Sequence, residues 1–176
     1  RNIGKKLAND LGMVEGKTIR IGLIKRFMKK ARGIYFGGSG IVRVRNINDV
    51  AVLAHELGHK LDLELFRASD GLLIEDSGTA KYIIMTAGLK NEAIRNKRLD
   101  TLRKKHGTSY VDTILETYGL RKELMDFVKS YNYPIQTYQG MKSKVKELIA
   151  EYIKGYVTHP ETTRKNTPKF TKVFDN

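Results

Sequence analysis

The chain has 176 residues, 40% of them hydrophobic, which suits one domain with a core of its own. It contains no cysteine, so disulfides and thiolate metal sites are excluded and any metal must be held by His, Asp or Glu. Its 33 basic and 19 acidic side chains leave a net charge of +14, a surface that attracts nucleic acid, anionic membrane or acidic polypeptide.

The basic residues are scattered, as at Lys5-Lys6, Lys25-Arg26, Lys29-Lys30, Arg103-Lys104-Lys105 and Lys142-Ser143-Lys144. No zinc-finger, RNP or basic-zipper pattern accompanies them, so nucleic acid is an alternative partner rather than the first expectation. Apolar runs are too short and too broken by charge for a secretory signal or a membrane span. The absence of cysteine fits a reducing cytoplasm, the compartment expected here. A start at Arg1 rather than methionine is expected of a domain excised from a larger chain or of a processed product.

In chain order, Ile3, Leu7 and Leu11 give Asn2 to Leu11 a helical spacing, and Gly12 and Gly16 bracket a turn. Thr18 to Leu23 alternates polar and apolar residues, as a half-buried strand does. Phe27 to Ala31 fits either a strand continuation or a helical turn. Gly33 to Phe36 and Ile41 to Arg45 flank Gly37-Gly38-Ser39-Gly40, which predicts a β-hairpin. That glycine run lacks a G-K-[ST] ending and leads into a strand, so it is not a phosphate loop.

Asn48 and Asp49 supply a capping start for the next element, Val50 to Asp62, VAVLAHELGHKLD. Val50, Leu53, Ala54, Leu57 and Leu61 keep one apolar face at helical spacing. The chain then loosens through Ser69-Asp70-Gly71 and Asp76-Ser77-Gly78. Thr79 to Tyr131 is largely helical with breaks near Gly88, Gly107 and Gly119, giving helices at Glu92–Lys105, Ser109–Tyr118 and Arg121–Ser130. Pro134 closes that block. A last strong helix runs from Ser143 to Tyr156, stopped by His159-Pro160, and a polar tail with one or two anchoring aromatics follows. The expected fold class is α+β: a small sheet and a central helix over residues 1–68, a helical insert over 69–131, and a closing helix and tail over 132–176.

His55-Glu56-Leu57-Gly58-His59 carries the chemistry. On a helix, residues four apart share a face, so His55 and His59 aim two imidazoles at one point, the bite a tetrahedral zinc ion requires. Glu56 adjoins the first histidine and is placed to act as a general base. The competing reading is two surface histidines on an amphipathic helix. A catalytic site needs a third protein ligand. A metzincin histidine six residues after His59 is excluded, because Leu65 stands there and Asp62 stands where the glycine belongs. His106 and His159 each read as a helix end, and Glu64, Glu75, Glu116 and Glu123 are isolated. Glu147 and Glu151 lie four apart on an otherwise apolar helix beside Ala150, and like charges stacked so need a positive partner. On the glutamate-zincin template Glu147 is the expected third ligand, and Glu151 hydrogen-bonds a ligand histidine. Asp62 has two readings: orienting His59 from one turn away, or an exposed helix-end carboxylate.

HELGH, then Glu147-Leu148-Ile149-Ala150-Glu151 and Asn166-Thr167-Pro168-Lys169, resembles the gluzincin metallopeptidases of the anthrax lethal factor type and the zincin domains of phage and mobile-element polyvalent proteins. The resemblance covers the hairpin, the histidine helix and the last forty or so residues, not Ser69 to Tyr131. It implies a zincin-like fold, one zinc ion per chain and Glu147 as third ligand. It also implies a tyrosine that stabilises the oxyanion. Tyr138 is the nearest match, about two residues further from the glutamate than in that family, with Tyr131 and Tyr133 as substitutes. The strand Ile41, Val42, Arg43, Val44, Arg45 is expected to bind polypeptide substrate as an added strand, its arginines favouring acidic residues. The expected function is a zinc-dependent endopeptidase in which Glu56 activates a zinc-bound water. The alternatives are a catalytically silent zincin-fold binding module, associated with nucleic acid, and a domain that cuts only its own parent chain.

Overall fold

A computed structural model describes residues 18–22, 31–63, 67–74, 77–131, 133 and 139–175. The helix expected over Asn2 to Leu11, the segment Phe27 to Lys30, the strand end at Leu23, Glu64, Glu75 and Tyr138 lie outside them. The described residues form an α+β fold. Strands β1 (Ile19–Ile21), β2 (Gly33–Phe36) and β3 (Ile41–Val44) make a sheet in the order β1-β3-β2. The hairpin forms where the glycines require it: β2 and β3 are antiparallel, the turn closes with Ser39 N–H donating to the Phe36 carbonyl at 3.0 Å, and Gly40 takes φ +63°. β1 pairs with β3 in parallel, Ile19 opposite Val42.

This order corrects one expectation. β3 is the middle strand, and at Ile41–Val44 both of its edges are occupied, so it offers no edge for a substrate. Alternation along a strand shows which face is buried. It does not show which neighbour arrives on which side.

Helix α1 (Val50–Leu61) packs on the sheet. Its start is set by Asp49, whose side chain accepts from Val52 N–H, and Leu53 and Leu57 seal a core with Ile19, Val42, Val44 and Ile47. Short α2 (Ala68–Gly71) leads to α3 (Gly78–Ala87), α4 (Glu92–His106) and α5 (Thr108–Ser130). α5 runs unbroken through Gly119, where a break was expected. One glycine costs a helix only about 1 kcal/mol. Here Val111 and Ile114 anchor the first half against Ala80, Ile83, Leu99 and Leu102, while Leu124, Phe127 and Val128 anchor the second half in the main core. The expected insert is therefore joined to the rest by a helix that belongs to both.

Helix α6 (Met141–Thr158) is the centre of the main core. Val145, Leu148, Ile149, Tyr152 and Ile153 are almost fully buried, and each contributes about 1.5–3 kcal/mol by leaving water. The expected polar tail is two further helices, α7 (Pro160–Asn166) and α8 (Pro168–Phe174), each with proline in its first turn, where the missing N–H is unneeded. Phe170 is buried, edge-on to Tyr152 at 4.6 Å.

Candidate metal centre

The site lies where α1 crosses α6, and two small residues let them meet. A Cβ on Gly58 would stand 2.8 Å from the Ala150 Cα, so the backbones are already in contact there. His55 and His59 lie on the same face of α1 as Gly58, one turn apart, and Glu147 and Glu151 flank Ala150 in the same way on α6. The close crossing thus presses two imidazoles against two carboxylates.

Glu147 reaches both histidines: its Oε2 lies 3.5 Å from His55 Nε2 and its Oε1 3.5 Å from His59 Nε2. The three ligand atoms lie within 4.8 Å of one another, and no other such group occurs among the described residues. Both separations are longer than a charge-assisted N–H···O bond of about 2.7–2.9 Å, and each imidazole faces a different oxygen of the one carboxylate. Two imidazoles with one carboxylate are a donor set that zinc accepts.

Supporting groups surround the cluster. Glu151, 4% exposed, brings Oε1 to 2.8 Å from His55 Nδ1 but off the ring's N–H axis, which leaves that buried nitrogen without a well-aligned partner. Lys154 Nζ grips the other oxygen of Glu151 at 2.6 Å. The Tyr133 hydroxyl donates to Glu147 Oε2 at 3.0 Å, and its ring lies 6.1 Å from that of His55. Tyr131 is half exposed and packs on Phe127 instead. Asp62 is 2% exposed, so its reading as an exposed helix-end carboxylate fails, and its charge acts on His59.

Burial and charge divide the titration unevenly. Burial works against a charged His55, but the carboxylates of Glu147 and Glu151 outweigh it and push the pKa up to about 9. Burial dominates at His59 and lowers it to about 4. Burial would raise Glu147 and Glu151; the imidazoles and, for Glu151, Lys154 hold both below the usual carboxylate range. Glu56, 9% exposed, is pushed up to about 7 by burial, against the pull of His55 and a hydrogen bond from the Tyr35 backbone N–H.

A cleft of about 420 Å³ opens beside these groups, lined in part by Gly33, His55, Glu56, Tyr133 and Glu151. Its cations are Arg32, paired with Asp49, and Lys154, rather than the expected Arg43 and Arg45. Among the described residues no strand pairs with the other side of β2, and Gly33 lines this cleft. Arg45 N–H donates to the Arg32 carbonyl at 3.0 Å, and antiparallel alternation then turns Ile34 and Phe36 towards β3 and the backbone groups of Gly33 and Tyr35 outward. Gly33 approaches so closely that a Cβ there would lie 2.6 Å from the Glu56 Cγ.

The structure thus brings together His55, Glu56, His59, Glu147 and Glu151, as the sequence predicts, with Asp62 buried nearby. It leaves out His106 and His159, each at a helix end, as ligands. Sequence reasoning missed Lys154, although its spacing of three from Glu151 and seven from Glu147 puts it on the same helical face. No protein-family model matches the chain, and neither a curated protein nor a solved structure does.

Proposed function

We propose that the chain is a zinc-dependent endopeptidase with a zincin-like fold of the gluzincin kind. The observation that carries this reading is the Glu147 carboxylate spanning His55 and His59, with Glu56 buried alongside. His55, His59 and Glu147 would hold the ion, one per chain, with Glu151 and Lys154 fixing the ring of His55. When bound, zinc supplies the Lewis acidity that makes water acidic near neutral pH and polarises a carbonyl.

The chain's own groups do the rest. Glu56 takes the proton of the attacking water and delivers it to the departing amine. The Tyr133 hydroxyl, already at the cluster, donates to the oxyanion that forms on the substrate. An extended polypeptide lies along the outward edge of β2, using the backbone groups of Gly33 and the carbonyl of Tyr35, whose N–H is held by Glu56. A pure metal-binding scaffold has no need of Glu56. Glu56→Gln keeps the shape of the side chain and removes the base: cleavage of a peptide library should fall at least about 100-fold with zinc content unchanged. Retained cleavage would refute the mechanism.

A further inference from the structure

Away from the cleft, the outer face of α4 carries charge for which the fold has no use. Among the described residues the helix packs mainly on α3 and α5, and it buries only Leu99 and Leu102. Its acids are consumed locally: Glu92 pairs with Arg95 at 3.5 Å, and Asp100 pairs with Arg103 at 3.2 Å. Arg103 also takes Asp112 at 3.0 Å. Lys97, Arg98, Lys104 and Lys105 are exposed and have no acidic partner among the described residues. At 100° per residue these four fall within an arc of about 120° that excludes Leu99 and Leu102, in two pairs about 10 Å apart along the axis. Residues that look scattered in the sequence become one cationic stripe.

We propose that this stripe binds the phosphodiester backbone of nucleic acid without regard to sequence. A duplex carries one phosphate per about 3.4 Å along each strand, so about 10 Å of helix faces about three phosphates of a strand. That is a fit in both charge and length. Between the two pairs the face presents Thr101, whose hydroxyl is bonded to the Lys97 carbonyl at 2.9 Å. Contacts from such a row of cations to phosphates fix position and carry no sequence information. An anionic membrane is the poorer match. A membrane-surface helix buries an apolar flank in the lipid, and the apolar flank of α4 is already buried in protein.

The test uses the full chain and two variants of equal charge. One changes Lys97, Arg98, Lys104 and Lys105 to Gln; the other changes the exposed Arg20, Lys122, Lys165 and Lys169 to Gln. Each takes the net charge from +14 to +10. Binding to a random-sequence 20-base-pair DNA duplex, a matching RNA duplex and 30% phosphatidylserine vesicles is followed by fluorescence anisotropy or co-sedimentation across 50–200 mM salt. The stripe variant should lose at least about 100-fold in duplex affinity at low salt, and its log–log salt slope should shrink by about 2.7, three phosphates at 0.9 each. The second variant should keep most of both. DNA and RNA duplexes should behave alike. Equal losses in the two variants, or tighter binding to vesicles than to either duplex, would overturn the proposal. Thermal melting of both variants checks that they fold.

Discussion

Gly58→Ala probes the helix crossing that assembles the site. The added Cβ would stand 2.8 Å from the Ala150 Cα, 3.2 Å from its carbonyl oxygen and 3.3 Å from the Ile153 Cβ. Carbon atoms prefer about 3.5–4.0 Å, so the two backbones must part by roughly 1 Å. Overpacking of this kind costs about 1–3 kcal/mol, against about 1 kcal/mol gained from the better helix propensity of alanine. The net effect is a loss of up to about 2 kcal/mol. Zinc binding should suffer more, because the same 1 Å separates His55 and His59 from Glu147, and we expect about a 10- to 100-fold loss of affinity, the size of effect seen when ligand support is disturbed. Gly119→Ala is the control: it lies inside α5 with nothing within 4 Å of its added Cβ, and it should raise stability by about 1 kcal/mol. Thermal melting in chelator and competition titration with a zinc dye report the two effects. If Gly58→Ala is stabilising like Gly119→Ala and leaves zinc affinity intact, α1 and α6 do not meet as described.

Three further outcomes follow from the site. Lys154→Met removes the cation that holds Glu151 and should weaken zinc about 10-fold by loosening the support of His55, while Lys154→Arg should retain most of the affinity. Tyr133→Phe should lower kcat by about 10- to 100-fold with little change in KM, the pattern of a donor that matters most in the transition state; a change confined to KM would assign Tyr133 to substrate binding. In chelator, the pH dependence of stability has a definite sign. His55 has a folded pKa of about 9 against an unfolded 6.5, so its contribution is complete below pH 6.5 and is lost as pH rises through 9, on the order of 3 kcal/mol. His59, lowered to about 4, acts in the opposite sense and withdraws stability as pH falls from 6.5 towards 4. Denaturant melts at pH 6.5 and 9 should therefore differ clearly in chelator. A flat profile would mean that Glu147 and Glu151 do not hold a proton on His55.

Local spacing made the side-chain cluster of the site legible. His55 and His59 at i, i+4, and Glu147 and Glu151 at i, i+4, are helical pairs whose geometry follows from 3.6 residues per turn. The hairpin was legible because Gly37 to Gly40 interrupts two β-prone runs. What stayed hidden depends on contacts distant in sequence. The arrival of β1 against β3 fills the edge that would have received substrate and, among the described residues, leaves β2 at the edge of the sheet. Gly119 stays helical because side chains on both halves of α5 are buried in two different cores. The role of Gly58 becomes visible only opposite Ala150, and the bond of Tyr133 to Glu147, fourteen residues on, has no local signal in the sequence. Pro160 and Pro168 were readable as helix starts, and the polar composition around them concealed it.

The most direct measurement is a crystal structure of the zinc-loaded protein with anomalous data at the zinc edge. One ion per chain should lie about 2.0–2.2 Å from His55 Nε2, His59 Nε2 and a Glu147 oxygen, with a fourth position open towards Glu56. An ion bound elsewhere, or no ion while Glu147 still spans the two imidazoles, would contradict the account.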